Sequence, residues 1–166
     1  MRSAADRRVA VRRLRSRLIR AAIMATHTYT GSCHCGAVRY ECELDLAAGT
    51  RRCNCRFCLK TRMWKAFALG EGSFRLLQGA DVLSDYRARD SSWPDGHVHH
   101  YFCGHCGVRG FSKGCLDMAP FDGWFHAVNV ATLDGLDDAQ LAAIPVQYEN
   151  GRHDDWDHSP VNPGYL

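Results

Sequence analysis

The chain has 166 residues, of which 46% are hydrophobic and 23% charged. That is enough for one domain with a real core, at ordinary globular composition. No apolar run approaches the roughly 18 to 20 residues needed by a bilayer-crossing helix, which excludes that class. The formal net charge of +3 is unevenly placed. Residues 1–23 set eight arginines against Asp6, a local +7, so residues 24–166 carry −4. The extension 1–23 is expected either to precede the true start at Met24 or to be a disordered, anion-seeking tail. A targeting peptide ranks last, because Arg20 interrupts the only apolar stretch, LIRAAIMA. Residues 24–166 are read as a single domain.

In chain order, AVRYECEL (37–44) alternates with Val38, Tyr40, Cys42 and Leu44 on one face, the pattern of a half-buried strand. WKAFAL (64–69) and SFRLL (73–77) follow as strands separated by Gly70 and Gly72. VLSDYRAR (82–89) and VHHYFC (98–103) are expected to pair across a loop containing Pro94 and Gly96. FHAVNVATL (125–133) reads as a further strand. DDAQLAAI (137–144) is the one predicted helix, with Asp137 and Gln140 in capping-box spacing and Leu141 and Ile144 on one face. Pro145 stops it, and PVQYENG returns as a strand. The fold class is therefore mostly β with one short helix.

Nine cysteines are an odd number, so a complete disulfide framework is excluded. C-x-C pairs are also too close for an unstrained bridge. With no signal-type segment, a reducing, cytoplasmic setting is expected, where clustered thiols more often hold metal. Cys33, Cys35, Cys103 and Cys106 come from two glycine-bearing turns and read as one closed four-thiolate zinc site. Gly36, Gly104 and Gly107 are expected to supply the tight ligating turns. Ordinary buried or redox-active thiols rank below. Cys53, Cys55 and Cys58 then remain for a second ion with a fourth position to fill. An exchangeable ligand is the expectation, although His97, His99, His100 or His126 could close it. Around this trio stand Arg51, Arg52, Arg56, Lys60, Arg62 and Lys65 with no acid. They read equally as an attractor of an anionic ligand or as a solvated face. Phe57, Trp64 and Phe67 fit core packing as readily as base stacking, so nucleic acid is not the expected partner. Cys42 reads as a small buried hydrophobe, and Cys115 as an incidental loop thiol.

The ordered set GSCHCGAVRY (31–40), CNCRFC (53–58), YFCGHCGVR (101–109), VNVATLDGLD (128–137) and NGRHDDW (150–156) resembles the glutathione-dependent formaldehyde-activating family, which includes the centromere protein V type. The resemblance implies an Mss4-like (β-tent) fold of zinc-stapled antiparallel sheets. It implies two Zn2+ ions: a structural one on Cys33, Cys35, Cys103 and Cys106, and a catalytic one on Cys53, Cys55 and Cys58. It further implies a carbon–sulfur lyase that condenses or cleaves a glutathione-like thiol adduct of formaldehyde or a small aldehyde. Asn54 stands where that family commonly has histidine. The alternative is a non-catalytic zinc-binding interaction module that meets an acidic partner through residues 51–65. A weaker third idea is a reductase using Cys115.

Overall fold

A computed structural model of the chain describes residues 26–88 and 93–166. The extension 1–23 and the expected start at Met24 lie outside them. The described elements run β1 (His27–Ser32), β2 (Arg39–Leu44), β3 (Thr50–Cys53), α1 (Arg56–Thr61), β4 (Trp64–Leu69), β5 (Phe74–Gln78), β6 (Leu83–Tyr86) and β7 (Val98–Cys103). They continue with β8 (Phe111–Leu116), β9 (Gly123–Asn129), a 3-10 turn (Val130–Thr132), α2 (Asp138–Ala143) and β10 (Val146–Glu149). A three-stranded sheet has the order β1-β2-β5, and a seven-stranded sheet has the order β10-β3-β4-β9-β8-β7-β6. Every named pairing is antiparallel except β10 on β3, which is parallel with Glu149 opposite Cys53.

The alternation read in 37–44 becomes burial. Val38, Tyr40, Cys42 and Leu44 are each at most 3% exposed. They form the underside of β2, and the core lies where this strand packs on β4, β8 and β9 of the larger sheet. Tyr40 is central. Its ring stacks on Phe74 at 5.3 Å and meets Phe111 edge-on at 5.5 Å, while its hydroxyl pairs with Thr132 Oγ1 at 2.7 Å. Burying a ring of this size stabilises the fold by roughly 1.5–3 kcal/mol, and the hydroxyl is not left unpaired. Cys42 sits beside it, 1% exposed, with its thiol pushed up to about 12 by burial. It behaves as the small hydrophobe expected.

The sequence reading misses three strands and one helix. β1, β3 and β8 lack a clean apolar alternation: β3 is TRRC and β8 is FSKGCL, interrupted by serine, lysine and glycine. Cys115 therefore lies in β8 opposite Trp124, not in a loop. The fold has two short helices rather than one. α1 buries none of its six residues, so it has no apolar stripe to read. The strand expected over 125–133 ends at Asn129, whose side chain accepts from Ala131 N–H and starts the 3-10 turn. α2 carries the expected capping box: Gln140 N–H donates to Asp137 Oδ1 at 2.7 Å, and Asp137 N–H to Gln140 Oε1 at 2.9 Å. Leu141 and Ile144 pack on the core. Among the described residues no helix is long and apolar enough to cross a membrane.

Candidate metal centres

Two turns, following β1 and β7, build the first cysteine group. Both are fixed by the same kind of backbone bonds. Cys33 N–H donates to the Val38 carbonyl at 3.0 Å, and Gly36 N–H to the Cys33 carbonyl at 3.0 Å. In the second turn, Cys103 N–H donates to the Val108 carbonyl at 3.0 Å, and Gly107 N–H to the Cys103 carbonyl at 2.8 Å. Gly36 and Gly107 adopt φ of 74° and 73°, a left-handed geometry that costs glycine nothing sterically. Gly104 acts differently from the expectation: its N–H donates to the Val82 carbonyl at 2.8 Å and ties the turn to the start of β6.

The four sulfurs of Cys33, Cys35, Cys103 and Cys106 lie within 4.8 Å of one another. Cys33 and Cys35 are separated by 3.5 Å, and Cys35 and Cys103 by 3.7 Å. A tetrahedral zinc with Zn–S of about 2.3 Å sets its sulfurs about 3.8 Å apart, so this donor set fits such an ion. Backbone N–H groups already favour the thiolate: those of Val108 and Cys35 pull Cys106 down to about 6. Cys33 and Cys103 are buried, whereas Cys35 is exposed and Cys106 half-buried. The group joins the end of the smaller sheet to the end of the larger one, with Cys35 and Cys103 68 positions apart.

The second group sits at the start of α1. Cys53 ends β3, Cys55 caps the helix and Cys58 occupies its first turn. Cys55 N–H points to Cys53 Sγ and Cys58 N–H to Cys55 Sγ, each at 3.4 Å. Hydrogen bonds from the Cys53 and Cys58 thiols, with the N–H groups of Cys58 and Phe57, hold Cys55 far below the usual thiol range. The three sulfurs also lie within 4.8 Å of one another, so they fit one face of a tetrahedron. Among the described residues no imidazole or carboxylate joins either group. The four histidines considered for the fourth place are engaged elsewhere. His99 pairs with Asp85 at 2.8 Å, His100 with Arg109 at 3.0 Å, His126 stacks on Phe74 at 4.2 Å, and His97 lies by Trp124.

Two cations flank the trio. Lys65, from β4, is held by Glu149 at 2.7 Å, and Arg51 holds the same carboxylate at 3.2 Å. Burial alone would lower the Lys65 pKa, but Glu149, Cys58 and Cys53 together outweigh it and raise it. Arg109, just beyond the Cys103–Cys106 turn, is the second. Its guanidinium donates to Thr61 Oγ1 at 2.8 Å, to Ser112 Oγ at 2.6 Å and to His100 Nδ1 at 3.0 Å, and it lies 4.4 Å from the Phe57 ring centre. No carboxylate is among these partners. Burial lowers its pKa to about 10, against the opposing pull of Cys58 and Cys55, so it stays charged at neutral pH. Because arginine only donates, His100 Nδ1 must accept, which leaves the ring proton on Nε2. Burial, then Arg109, depress His100 to about 4.

The loop between Cys53 and Cys55 is clamped through Asn54, which is 2% exposed. Its amide donates to Asn150 Oδ1 at 2.7 Å and accepts from Arg152 N–H at 2.8 Å. Asn54 is thus a latch between β3 and the chain after β10. Gly151 completes this closure, since a Cβ there would meet Cys53 Sγ at 2.7 Å and the Trp156 ring at 2.8 Å.

The basic segment is largely spent on the fold. Arg51 and Lys65 share Glu149, Arg52 donates to the Leu166 carbonyl at 3.1 Å, and Arg62 donates to the Tyr165 carbonyl at 2.7 Å. Arg56, Lys60 and Arg62 nevertheless remain exposed at α1 and its end. Arg109, Glu149, Gly151 and Trp156 were not singled out from sequence, although all four lie in or beside the quoted stretches YFCGHCGVR and NGRHDDW. The adjacency of Glu149, Gly151 and Trp156 to the trio needs the β10–β3 pairing, and that of Arg109 needs the packing of α1 against the β7–β8 strands, neither of which a local pattern shows.

Comparison with known proteins places these centres in context. The family described as "Glutathione-dependent formaldehyde-activating enzyme" matches residues 28–148. A Halomonas elongata protein that carries the provisional name glutathione-dependent formaldehyde-activating enzyme is 35% identical over 80 residues, covering 46% of this chain. The chain spans 50% of that curated relative's length. The crystal structure of a Rhodobacter sphaeroides protein superposes with a TM-score of 0.55 at 31% identity, covering 71% of this chain and 99% of the other.

Proposed function

The chain belongs to the glutathione-dependent formaldehyde-activating enzyme family, and from that premise we propose that it is a zinc-dependent carbon–sulfur lyase. In this reading glutathione, or a similar thiol, adds to formaldehyde or another small aldehyde. The sulfur–carbon bond forms, the carbonyl π bond opens, and the thiol proton ends on the new hydroxyl; cleavage is the reverse.

The observation that supports this is the unequal division of donors. Four sulfurs converge at one centre and three at the other, with no further side-chain donor joining the trio among the described residues. A closed four-thiolate set is the form of a structural zinc, and three protein ligands are the form of a catalytic one. We assign the first role to Cys33, Cys35, Cys103 and Cys106, and the second to Cys53, Cys55 and Cys58. When bound at the trio, zinc would supply Lewis acidity, favouring the thiolate form of a coordinating thiol and polarising a carbonyl oxygen.

The surrounding side chains prepare that chemistry. Arg109 and Lys65 bring positive charge to a group of thiolates that a divalent ion leaves with a net negative charge. Glu149 neutralises Lys65 in part and fixes its position. His100 remains neutral and stacks on Phe57 at 4.1 Å, so it holds the helix turn that carries Cys55 and Cys58. Asn54 orients the two sulfurs on either side of it. The interaction-module alternative, in which residues 51–65 meet an acidic partner, could draw on the exposed Arg56, Lys60 and Arg62, but it gives the three-sulfur donor set no role.

The test is exchange spectroscopy of carbon-labelled formaldehyde with glutathione. Zinc-loaded protein is expected to accelerate exchange into S-hydroxymethylglutathione, and Cys55→Ser is expected to abolish the acceleration. Equal rates with and without the protein would end the lyase reading.

A further inference from the structure

We propose that Cys35 is a site of oxidative modification, at which a hydroperoxide links it to Cys106 in a disulfide and so empties the four-sulfur centre of its metal. Such a role needs the quartet to hold zinc, which its sulfur spacing fits, and is independent of the lyase reading. Burial within the quartet is uneven. Cys33 and Cys103 are 4% and 1% exposed, whereas Cys35 is exposed and Cys106 half-buried. Each of the two reachable cysteines is followed by a glycine, Gly36 or Gly107, and at both a Cβ would meet nothing within 4 Å. His34, Gly104 and His105 beside them are exposed as well. Both ligating turns therefore open to solvent on the side of Cys35 and Cys106.

The second centre is better shielded. Cys53 is buried, Cys55 and Cys58 are half-buried, and none of the three is exposed. The Trp156 ring and Cys53 Sγ crowd the same point above Gly151, and Asn54, 2% exposed, separates Cys53 from Cys55. Oxidation of a thiolate follows its exposure as well as its thiolate character, and a second thiol close by captures the first product. At the surface of this molecule only the quartet joins those conditions among the grouped cysteines. The centre more open to oxidants is thus the one that fastens the fold, not the one given the chemistry.

The Cys35 thiolate attacks the peroxide, whose O–O bond breaks to leave a sulfenic acid and hydroxide. The Cys106 thiolate then attacks that sulfur, its S–O bond breaks, and a second hydroxide departs. Each sulfur is oxidised by one electron, and the peroxide takes up both. Position selects the partner. Cys33 stands in a C-x-C pair with Cys35, too close for an unstrained bridge, and Cys103 is closed off in the core. Cys106 lies on the opposite turn with its sulfur within 4.8 Å. After bridging, Cys33 and Cys103 are the only donors left, half of what a structural zinc takes. An exposed disulfide of this kind is open to thiol reductants, so the change is reversible.

The test compares the full chain with Cys55→Ser, which leaves two sulfurs at the second centre, so that the zinc it retains is the quartet's. Both would be zinc-loaded and treated stepwise with hydrogen peroxide. Zinc release would be followed with a chromogenic chelator, and each cysteine by differential alkylation and peptide mass spectrometry. In the full chain, Cys35 is expected to be modified at least about tenfold faster than Cys55 or Cys58. In Cys55→Ser, zinc is expected to leave in step with a Cys35–Cys106 disulfide, and reductant with added zinc to restore the loaded state. Earlier oxidation of the trio, or a bridge from Cys35 to Cys33 or Cys103, would overturn the proposal. So would a Cys55→Ser chain that binds no zinc, or one that keeps it after Cys35 is oxidised. None of these readouts involves formaldehyde, so the lyase reading stands or falls separately.

Discussion

Arg109 is a buried guanidinium with thiols, not a carboxylate, as its nearest opposite charges. Desolvating such a cation is costly unless something answers it, and the Cys55 and Cys58 sulfurs are what the structure offers. Removing a group that supports metal ligands typically weakens affinity by roughly 10–100-fold. Arg109→Met is therefore expected to release metal from the trio at least about tenfold more readily in chelator competition, while the quartet keeps its ion. Equal retention at the trio would show that the charge is not used there. Histidine gives a second residue-scale prediction. His100 and His126 both titrate at about 4 in the fold, through burial first and then Arg109 or Lys113 respectively, against 6.5 unfolded. The unfolded chain takes up these protons first. Their stabilising contribution is complete above about pH 6.5 and is lost progressively as pH falls toward about 4. The urea midpoint should drop between about pH 7 and pH 5, and His126→Phe, which keeps the stack on Phe74, should flatten that drop.

Among the elements, those that could be read from sequence are the ones whose stability comes from a local pattern. β2 declares itself through Val38, Tyr40, Cys42 and Leu44, and α2 through the Asp137–Gln140 box. Asp137→Ala should cost about 1 kcal/mol in denaturant unfolding, and no loss would mean that Pro145 and the packing of Leu141 suffice. The elements that were missed depend on distant partners. β3 presents two arginines, yet it is fixed between β4 and β10 with Thr50 0% exposed. α1 is held by its cap, by the Thr61 hydroxyl on the Phe57 carbonyl at 3.0 Å and by Arg62 in the left-handed conformation at its end. None of these leaves an apolar period. Cysteine spacing suffices to group the seven sulfurs, because ligating turns are local. It is silent on Arg109 and Trp156, which only the assembled fold brings to the trio.

Across the whole molecule, the proposed function gives the two centres different tasks. The quartet bridges β1 and β7 and so ties the two sheets together, whereas the trio lies where β3, α1 and β10 meet, with α1 also packing on His100 and Arg109. A structural zinc contributes about 10–16 kcal/mol of binding energy, comparable to the 5–15 kcal/mol net stability of a typical domain. Cys103→Ser should consequently unfold the chain or leave it marginal, while Cys55→Ser should keep near-native circular dichroism and lose turnover. The most direct measurement is optical: place cobalt at both centres and titrate with glutathione. The account predicts that the bands from the three-sulfur centre change with thiol while those from the four-sulfur centre stay fixed. A spectrum that does not respond to the thiol at all would mean that the trio has no exchangeable position, and would contradict the account.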